Sequence, residues 1–183
     1  MERFVSTFTN KIDAKGRVSI PAPFRAVLER DGYSQGAGGG AGPGTGTAGG
    51  AGGIYCYPSL DAPALDGGGE RLAKKIDGLL RGLADYSDER DELSVALYGD
   101  VQILNIDGDG RIVVPEALRR HAALSGLVTF VGLGDKFQMW EPAAFEQRRR
   151  TAREKVQEHR KLFASRARSA TSSGDDDERG GSP

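Results

Sequence analysis

Lys11, Lys15 and Arg17 stand within seven residues of one another, with Asp13 and Gly16 between them. Side chains of these types at this spacing recognise anions rather than make or break bonds. Asp-x-x-Gly is a turn signal: the carboxylate accepts backbone N–H groups, and glycine takes a positive φ without a Cβ clash. An arginine leaving such a turn presents a planar fork that matches a phosphate or a guanine edge, whereas lysine acts on phosphate as a point charge. Lys11, Lys15 and Arg17 are therefore the first candidates for nucleic-acid contact, with Arg3 and Arg111 behind them. Asp13, Gly16, Asp107 and Gly110 are the candidate turn-formers. The plainer role for Arg17 and Arg111 is to tie their own turns through an Asp–Arg pair, and that role fits Arg111 better. For Arg25 and Arg119, a solvated helix face is at least as good a reading as phosphate contact.

Arg111 enters because the chain repeats itself. Ile12-Asp13-Ala14-Lys15-Gly16-Arg17-Val18-Ser19-Ile20-Pro21 returns as Ile106-Asp107-Gly108-Asp109-Gly110-Arg111-Ile112-Val113-Val114-Pro115, at an offset of 94. The register continues to Phe24-Arg25 and Leu118-Arg119. Internal repetition of this kind means that one structural unit is used twice. The copies differ in charge, since Asp109 replaces Lys15 and Asn105 replaces Lys11. A carboxylate beside phosphate is unfavourable, so the first copy should carry most of the contact and the second should serve structure.

Each copy predicts a short strand into the turn, around Phe4-Ser6-Phe8 and Val101–Ile103, and a β-branched strand out of it. Prolines then fit the first turn of a helix that buries Phe24, Val27 and Leu28, or Leu118, Ala122 and Leu124, with Gly32 and Gly126 as C-terminal caps. The second copy continues with strands over Leu127–Val131 and Lys136–Trp140 and closes at Glu141-Pro142. The first closes at Ile54–Pro58. Offset by 94 from Leu127–Val131 lie residues 33–37, a poor strand. Of the 18 residues 36–53, 11 are Gly and four are Ala, a composition that reads as a flexible surface loop. Between the copies Leu72, Ile76, Leu79, Leu80 and Leu83 recur at helical spacing, and Ser87 or Asp88 caps a second helix over Leu93, Ala96 and Leu97. Phe145, Ala152, Val156 and Phe163 mark one face of a long basic helix.

The chain has 183 residues and a formal net charge of -1, which does not announce a nucleic-acid binder. The distribution does. Residues 1–30 sum to +3 and residues 141–170 to +5, against -3 in residues 171–183, and fields act locally over about 8 Å at physiological salt. One cysteine, Cys56, excludes an intrachain disulfide and a cysteine-rich zinc site, which favours a reducing cytoplasm. The first residues lack the apolar stretch of a secretory signal, and no window is long and apolar enough to span a bilayer, so no membrane partner is expected. No cofactor or metal is expected: Gly44-Thr45-Gly46-Thr47-Ala48-Gly49 matches a dinucleotide fingerprint only in a tract where any glycine pattern would, and His121 and His159 show no ligand spacing. There are no candidate catalytic residues, and an enzyme is not expected.

Asp-x-x-Gly-Arg followed by branched apolar residues and proline resembles the AbrB/SpoVT swapped-hairpin module of bacterial DNA-binding proteins. Two such modules in one chain, joined by a helical pair and closed by Tyr57-Pro58 and Trp140-Glu141-Pro142, resemble the MraZ family over roughly residues 4–150. The resemblance implies an α+β fold of tandem AbrB-like swapped-hairpin (double-split β-barrel) modules with linking helices and a C-terminal helix. It divides the chain into a first module over 7–60, a helical linker over 61–98 and a second module over 99–142; periodicity adds a basic helix over 143–168, and composition reads as a disordered acidic tail over 169–183, where the resemblance ends. It also implies a transcriptional regulator in the cytoplasm and nucleoid, acting as a ring-shaped homo-oligomer on promoter direct repeats of double-stranded DNA. An oligomeric scaffold or antitoxin-like interaction module is the alternative.

Overall fold

The computed structural model describes residues 3–32 and 53–172, with side chains as far as residue 160. In chain order these residues form β1 (Thr7–Lys11), β2 (Arg17–Ser19), α1 (Ala22–Arg30), β3 (Ile54–Pro58), β4 (Ala64–Gly68), α2 (Glu70–Arg81), α3 (Asp88–Ser94), a π-helical turn (Val95–Gly99), β5 (Gln102–Leu104), β6 (Arg111–Val113), α4 (Glu116–His121), β7 (Leu127–Gly132), β8 (Phe137–Trp140) and α5 (Pro142–Ser172). The fold is α+β. The chain divides into one unit over Met1–Ala144 and a second from Phe145 onward, whose described part is the remainder of α5.

The two copies interleave. A six-stranded antiparallel sheet runs in the order β1-β7-β8-β4-β3-β5, and β2 pairs with β6 in a separate two-stranded ribbon. The lead strand of each copy therefore leaves its own copy: β1 lies against β7 of the second, and β5 against β3 of the first. The sheet is open, with β1 and β5 at its edges. Its order reads the same from either end once β1 is matched with β5, β3 with β7 and β4 with β8, which is a pseudo-two-fold arrangement. The axis passes between Val18 and Ile112 in the ribbon, and between the Leu65↔Met139 and Asp66↔Gln138 pairs in the sheet.

This symmetry corrects the expected alignment of the copies. The middle strand of the first copy is β3, not residues 33–37, which lie outside the described residues. Its closing strand is β4, not Tyr57-Pro58. β3 and β4 precede β7 and β8 by 73 residues, so the offset changes once, within the glycine tract. Residues 64–68, expected in a helical linker, form a central strand, although Ala, Asp and Gly are poor strand formers. Pairing on both edges decides it, and Gly67 leaves room for the buried ring of Phe137 at the site where a Cβ would stand, 2.6 Å from Cζ. Gly67→Ala is expected to destabilise the protein by about 1–3 kcal/mol through overpacking, read as a lower urea midpoint at unchanged slope.

The core lies where the copies meet. Phe24 of α1 is fully buried and packs against Phe4, Phe8, Phe130 and Phe137 at centroid distances of 5.3, 5.5, 6.4 and 5.5 Å. Both helices follow a proline as expected, with Pro23 in the first turn of α1 and Pro115 preceding α4. Asp31, at the end of α1, accepts from the Arg71 backbone N–H at 3.0 Å and so caps α2. Leu72, Ile76 and Leu80 of α2 join Tyr57 and Leu97 in a second apolar cluster, while Leu79 faces out. Ser87 caps α3 through the Arg90 N–H.

α5 continues to Ser172, four residues past the expected helix end. Ala152 and Val156 on it are exposed, and Phe163 has no described side chain. The loop expected over 36–53 lies outside the described residues except for Gly53, and so does the tail from 173. Among the described residues, no helix is long and apolar enough to cross a membrane.

Candidate nucleic-acid interface

The two turns are built alike. Asp13 Oδ1 accepts from the backbone N–H of Lys15 at 3.0 Å and of Arg17 at 2.9 Å, and Oδ2 accepts from Arg17 Nε at 2.6 Å. Asp107 accepts from the N–H of Asp109 and Arg111, each at 2.9 Å, and from Arg111 Nε at 3.0 Å. Gly16 and Gly110 adopt φ of +83° and +76°, as the turn requires. These bonds hold both carboxyls below the ordinary 3.8, mainly through the N–H of the arginine four residues on. A carboxyl lowered in the folded state stabilises its turn above the unfolded value and loses that contribution as pH falls through the folded one. Carbon-detected NMR titration is expected to place both midpoints below 3.8; a midpoint at or above it would show that the turns are not tied in this way.

Antiparallel pairing then sets what faces outward. In the β2–β6 ribbon Val18 and Ile112 point into the core, so Arg17, Ser19, Arg111 and Val113 share the outer face. Arg17 is paired with Val113 and Arg111 with Ser19, which makes the two arginines diagonal neighbours across two strands. This is a ribbon with a turn at each end and cations on one side.

The electrostatics of the two ends differ. Both arginines do tie their own turns, the plainer of their expected roles, yet Arg17 keeps a side chain 48% exposed. Its Nε is engaged, while its two terminal nitrogens have no hydrogen bond among the described residues. In the second copy Asp109 takes Arg111 Nη2 at 2.6 Å. The Arg111 guanidinium is held more firmly in its charged form, chiefly by the Asp107 bond and then by the fields of Asp107 and Asp109. Lys11 and Lys15 are exposed, and neither forms an ion pair among the described residues. Lys15 and Arg17 thus belong to the first turn, and Lys11 ends the strand that leads into it. Arg3 does not join them: it precedes Phe4, whose backbone pairs with Gly134, at the far end of the edge strand from the turn.

Arg25 and Arg119 are not on solvated faces. Each crosses from its helix to the other copy's turn. Arg119 occupies the space beside Gly16 and donates from Nη1 to the Ala14 carbonyl at 3.1 Å; Arg25 fills the corresponding space beside Gly110. The Nε of each is buried without a hydrogen-bond partner among the described residues. The repeat register Phe24-Arg25 and Leu118-Arg119 was the sequence signal for this pair, but the exchange of strands between copies is what aims the side chains.

The other polar groups are structural. Asp66 is buried at the sheet axis and accepts from Lys136 Nζ at 2.5 Å and Gln138 Nε2 at 2.7 Å. Cys56 is fully buried, and burial pushes its thiol well up, away from thiolate reactivity. His121 and His159 are exposed, and among the described residues no group of three His, Cys, Asp or Glu side chains is placed to hold a metal.

Known proteins resemble this chain over most of its length. A relative from Methylocella silvestris, named transcriptional regulator MraZ, is 48% identical over 166 residues, covering 91% of this chain and 90% of its own. The chain belongs to the MraZ family. Relatives of the same name from Xanthobacter autotrophicus and Azorhizobium caulinodans are 47% and 46% identical, covering 91% and 90% of this chain and 95% and 94% of their own. The family model, described as "MraZ protein, putative antitoxin-like", matches residues 97–166. In this MraZ-family chain that match takes in the second turn and much of α5, and the first copy is tied to it by the repeat.

Proposed function

We propose that the protein is a sequence-specific transcriptional regulator that reads double-stranded DNA with its first turn. The observation that carries this reading is the Arg17 guanidinium: anchored at Nε by Asp13, without a hydrogen bond at either terminal nitrogen among the described residues, and close in sequence to the exposed Lys11 and Lys15. An arginine so held keeps its fork oriented before binding, so less conformational freedom is lost on contact. A two-stranded ribbon fits the major groove, where arginine contacts guanine O6 and N7 and lysines take phosphates. The second turn, with Asp107 and Asp109 around Arg111, contributes less. The relatives' names support the regulatory role.

One turn offers few contacts, so the working form is a homo-oligomer, a ring, whose repeated turns engage direct repeats upstream of the division and cell wall gene cluster. Affinity then rises through effective concentration rather than through new contacts. Such a protein works in the cytoplasm, on the nucleoid.

The test is electrophoretic retardation of the DNA upstream of the protein's own gene, with sizing of the oligomer in parallel. Retardation by wild type, and its loss in Arg17→Ala at unchanged oligomer size, is the expected result. No retardation by wild type contradicts DNA reading and leaves a scaffold or antitoxin-like module; loss of both binding and assembly makes Arg17 a structural residue.

A further inference from the structure

We propose that Arg119 is a positioning residue that the second copy supplies to the first: it locks the reading turn from beneath, and its partner in the repeat, Arg25, does not do the same for the second turn. This rests on the DNA-reading role of the first turn.

The argument turns on one peptide group. The Ala14–Lys15 peptide directs the Lys15 side chain and leads into Gly16. Its N–H donates to Asp13 Oδ1 at 3.0 Å, and its carbonyl accepts from Arg119 Nη1 at 3.1 Å. Both ends of its dipole are held, one by its own copy and one by the other. Among the described residues the equivalent Gly108–Asp109 peptide is held at one end only. Its N–H donates to Asp107 Oδ1 at 2.9 Å, while Arg25, although packed on Gly110, forms no hydrogen bond among the described residues.

The position of Arg119 explains why it positions rather than touches DNA. Its Nε and Cδ lie 3.0 and 3.3 Å from where a Cβ on Gly16 would stand, and the Nε is buried. The Nε side of the guanidinium is therefore packed against the buried glycine, while Nη1 makes its bond to Ala14 at the surface. A donor without an acceptor inside a protein is costly, so a cation kept there beside Lys15 and Arg17 must contribute through its other nitrogens. The bond to Ala14 is the one the structure shows. A loop already held in its binding shape gives up less freedom on association, so the first turn is both the more cationic of the two and the more fixed.

The experiment uses the full-length protein and Arg119→Met, which keeps the stem and removes the guanidinium. Amide exchange of residues 14–17 reads the lock directly, and salt titrations of binding to the upstream DNA separate positioning from contact. The expected result is at least about tenfold faster exchange at Lys15 and Gly16, about tenfold weaker binding, and an unchanged slope of log affinity against log salt. Losing a phosphate contact would reduce the slope by about 0.9, so a reduced slope overturns the positioning role. Unchanged exchange overturns the lock whether or not DNA binds. Faster exchange in a protein whose wild type binds no DNA supports the lock and refutes the DNA reading. Arg25→Met is expected to leave exchange at residues 14–17 and DNA affinity at wild-type values; equal loosening of the first turn would show a general loss of packing and overturn the assignment. Should Arg119→Met not fold, Arg119→Lys, which lacks the planar fork, is expected to give the same faster exchange at Gly16, and wild-type exchange in it overturns the lock.

Discussion

Lys15→Asp is expected to weaken DNA binding by at least about 100-fold while the protein keeps its fold. The substitution gives the first turn the residue that the second already has at Asp109, so its consequences can be read from the second turn. There the aspartate takes Arg111 Nη2 at 2.6 Å. An aspartate at position 15 would engage Arg17 in the same way and remove one of its two open nitrogens. It would also replace a cation facing phosphate by an anion. Like charges brought together across an interface cost several kcal/mol, and each 1.4 kcal/mol is about tenfold in affinity. Lys15 is exposed and makes no ion pair among the described residues, so unfolding free energy should shift by about 0.5 kcal/mol or less. Fluorescence anisotropy at fixed salt measures the binding and urea unfolding the stability. The reciprocal change, Asp109→Lys, frees Arg111 and is expected to tighten binding. An undiminished affinity in Lys15→Asp would mean that the first turn does not face DNA.

The largest expected effect on stability is that of Phe24→Ala, about 3–5 kcal/mol. The ring is fully buried and meets four others, of which Phe4 and Phe8 come from the first copy and Phe130 and Phe137 from the second. Deleting it removes apolar contact and opens a cavity where the interleaved copies share a core. The neighbours are held in strands of the sheet and by Phe4's pairing with Gly134, so they have little room to collapse inward. Urea unfolding followed by far-UV circular dichroism gives the number. A loss under about 1 kcal/mol would mean that the two copies do not share this core.

The turns were fully legible in the sequence, because Asp-x-x-Gly encodes its own hydrogen bonds: the carboxylate at the first position reaches the N–H groups two and four residues on. The helices after Pro21 and Pro115 were legible for a similar reason, being specified by local residues. What was not legible depends on partners distant in the chain. A β-branched run carries no label saying which strand it will pair with, so the exchange of β1 and β5 between copies had to come from the structure. β4 was hidden because Ala64-Leu65-Asp66-Gly67-Gly68 lacks strand formers and is a strand only by lying between β3 and β8. Taking Pro58 and Pro142 as equivalent ends followed from that omission. In the site, the charge difference between the copies could be read from Lys15 and Asp109. The opposed reach of Arg25 and Arg119 could not, since helical periodicity gives a residue's face but not what another segment places against it.

The central claim is that the two turns share a geometry and differ in charge, so that the first reads DNA and the second supports it. Its most direct measurement is the salt dependence of binding to the upstream fragment for wild type, Arg17→Ala and Arg111→Ala. Wild type is expected to lose affinity linearly on a log–log plot, with a slope of about -0.9 for each phosphate neutralised. Arg17→Ala is expected to fall far below it, and Arg111→Ala to stay within about threefold, the scale of a rim contact worth well under 1.4 kcal/mol. A flat salt response, or equal losses from the two arginines, would contradict the account.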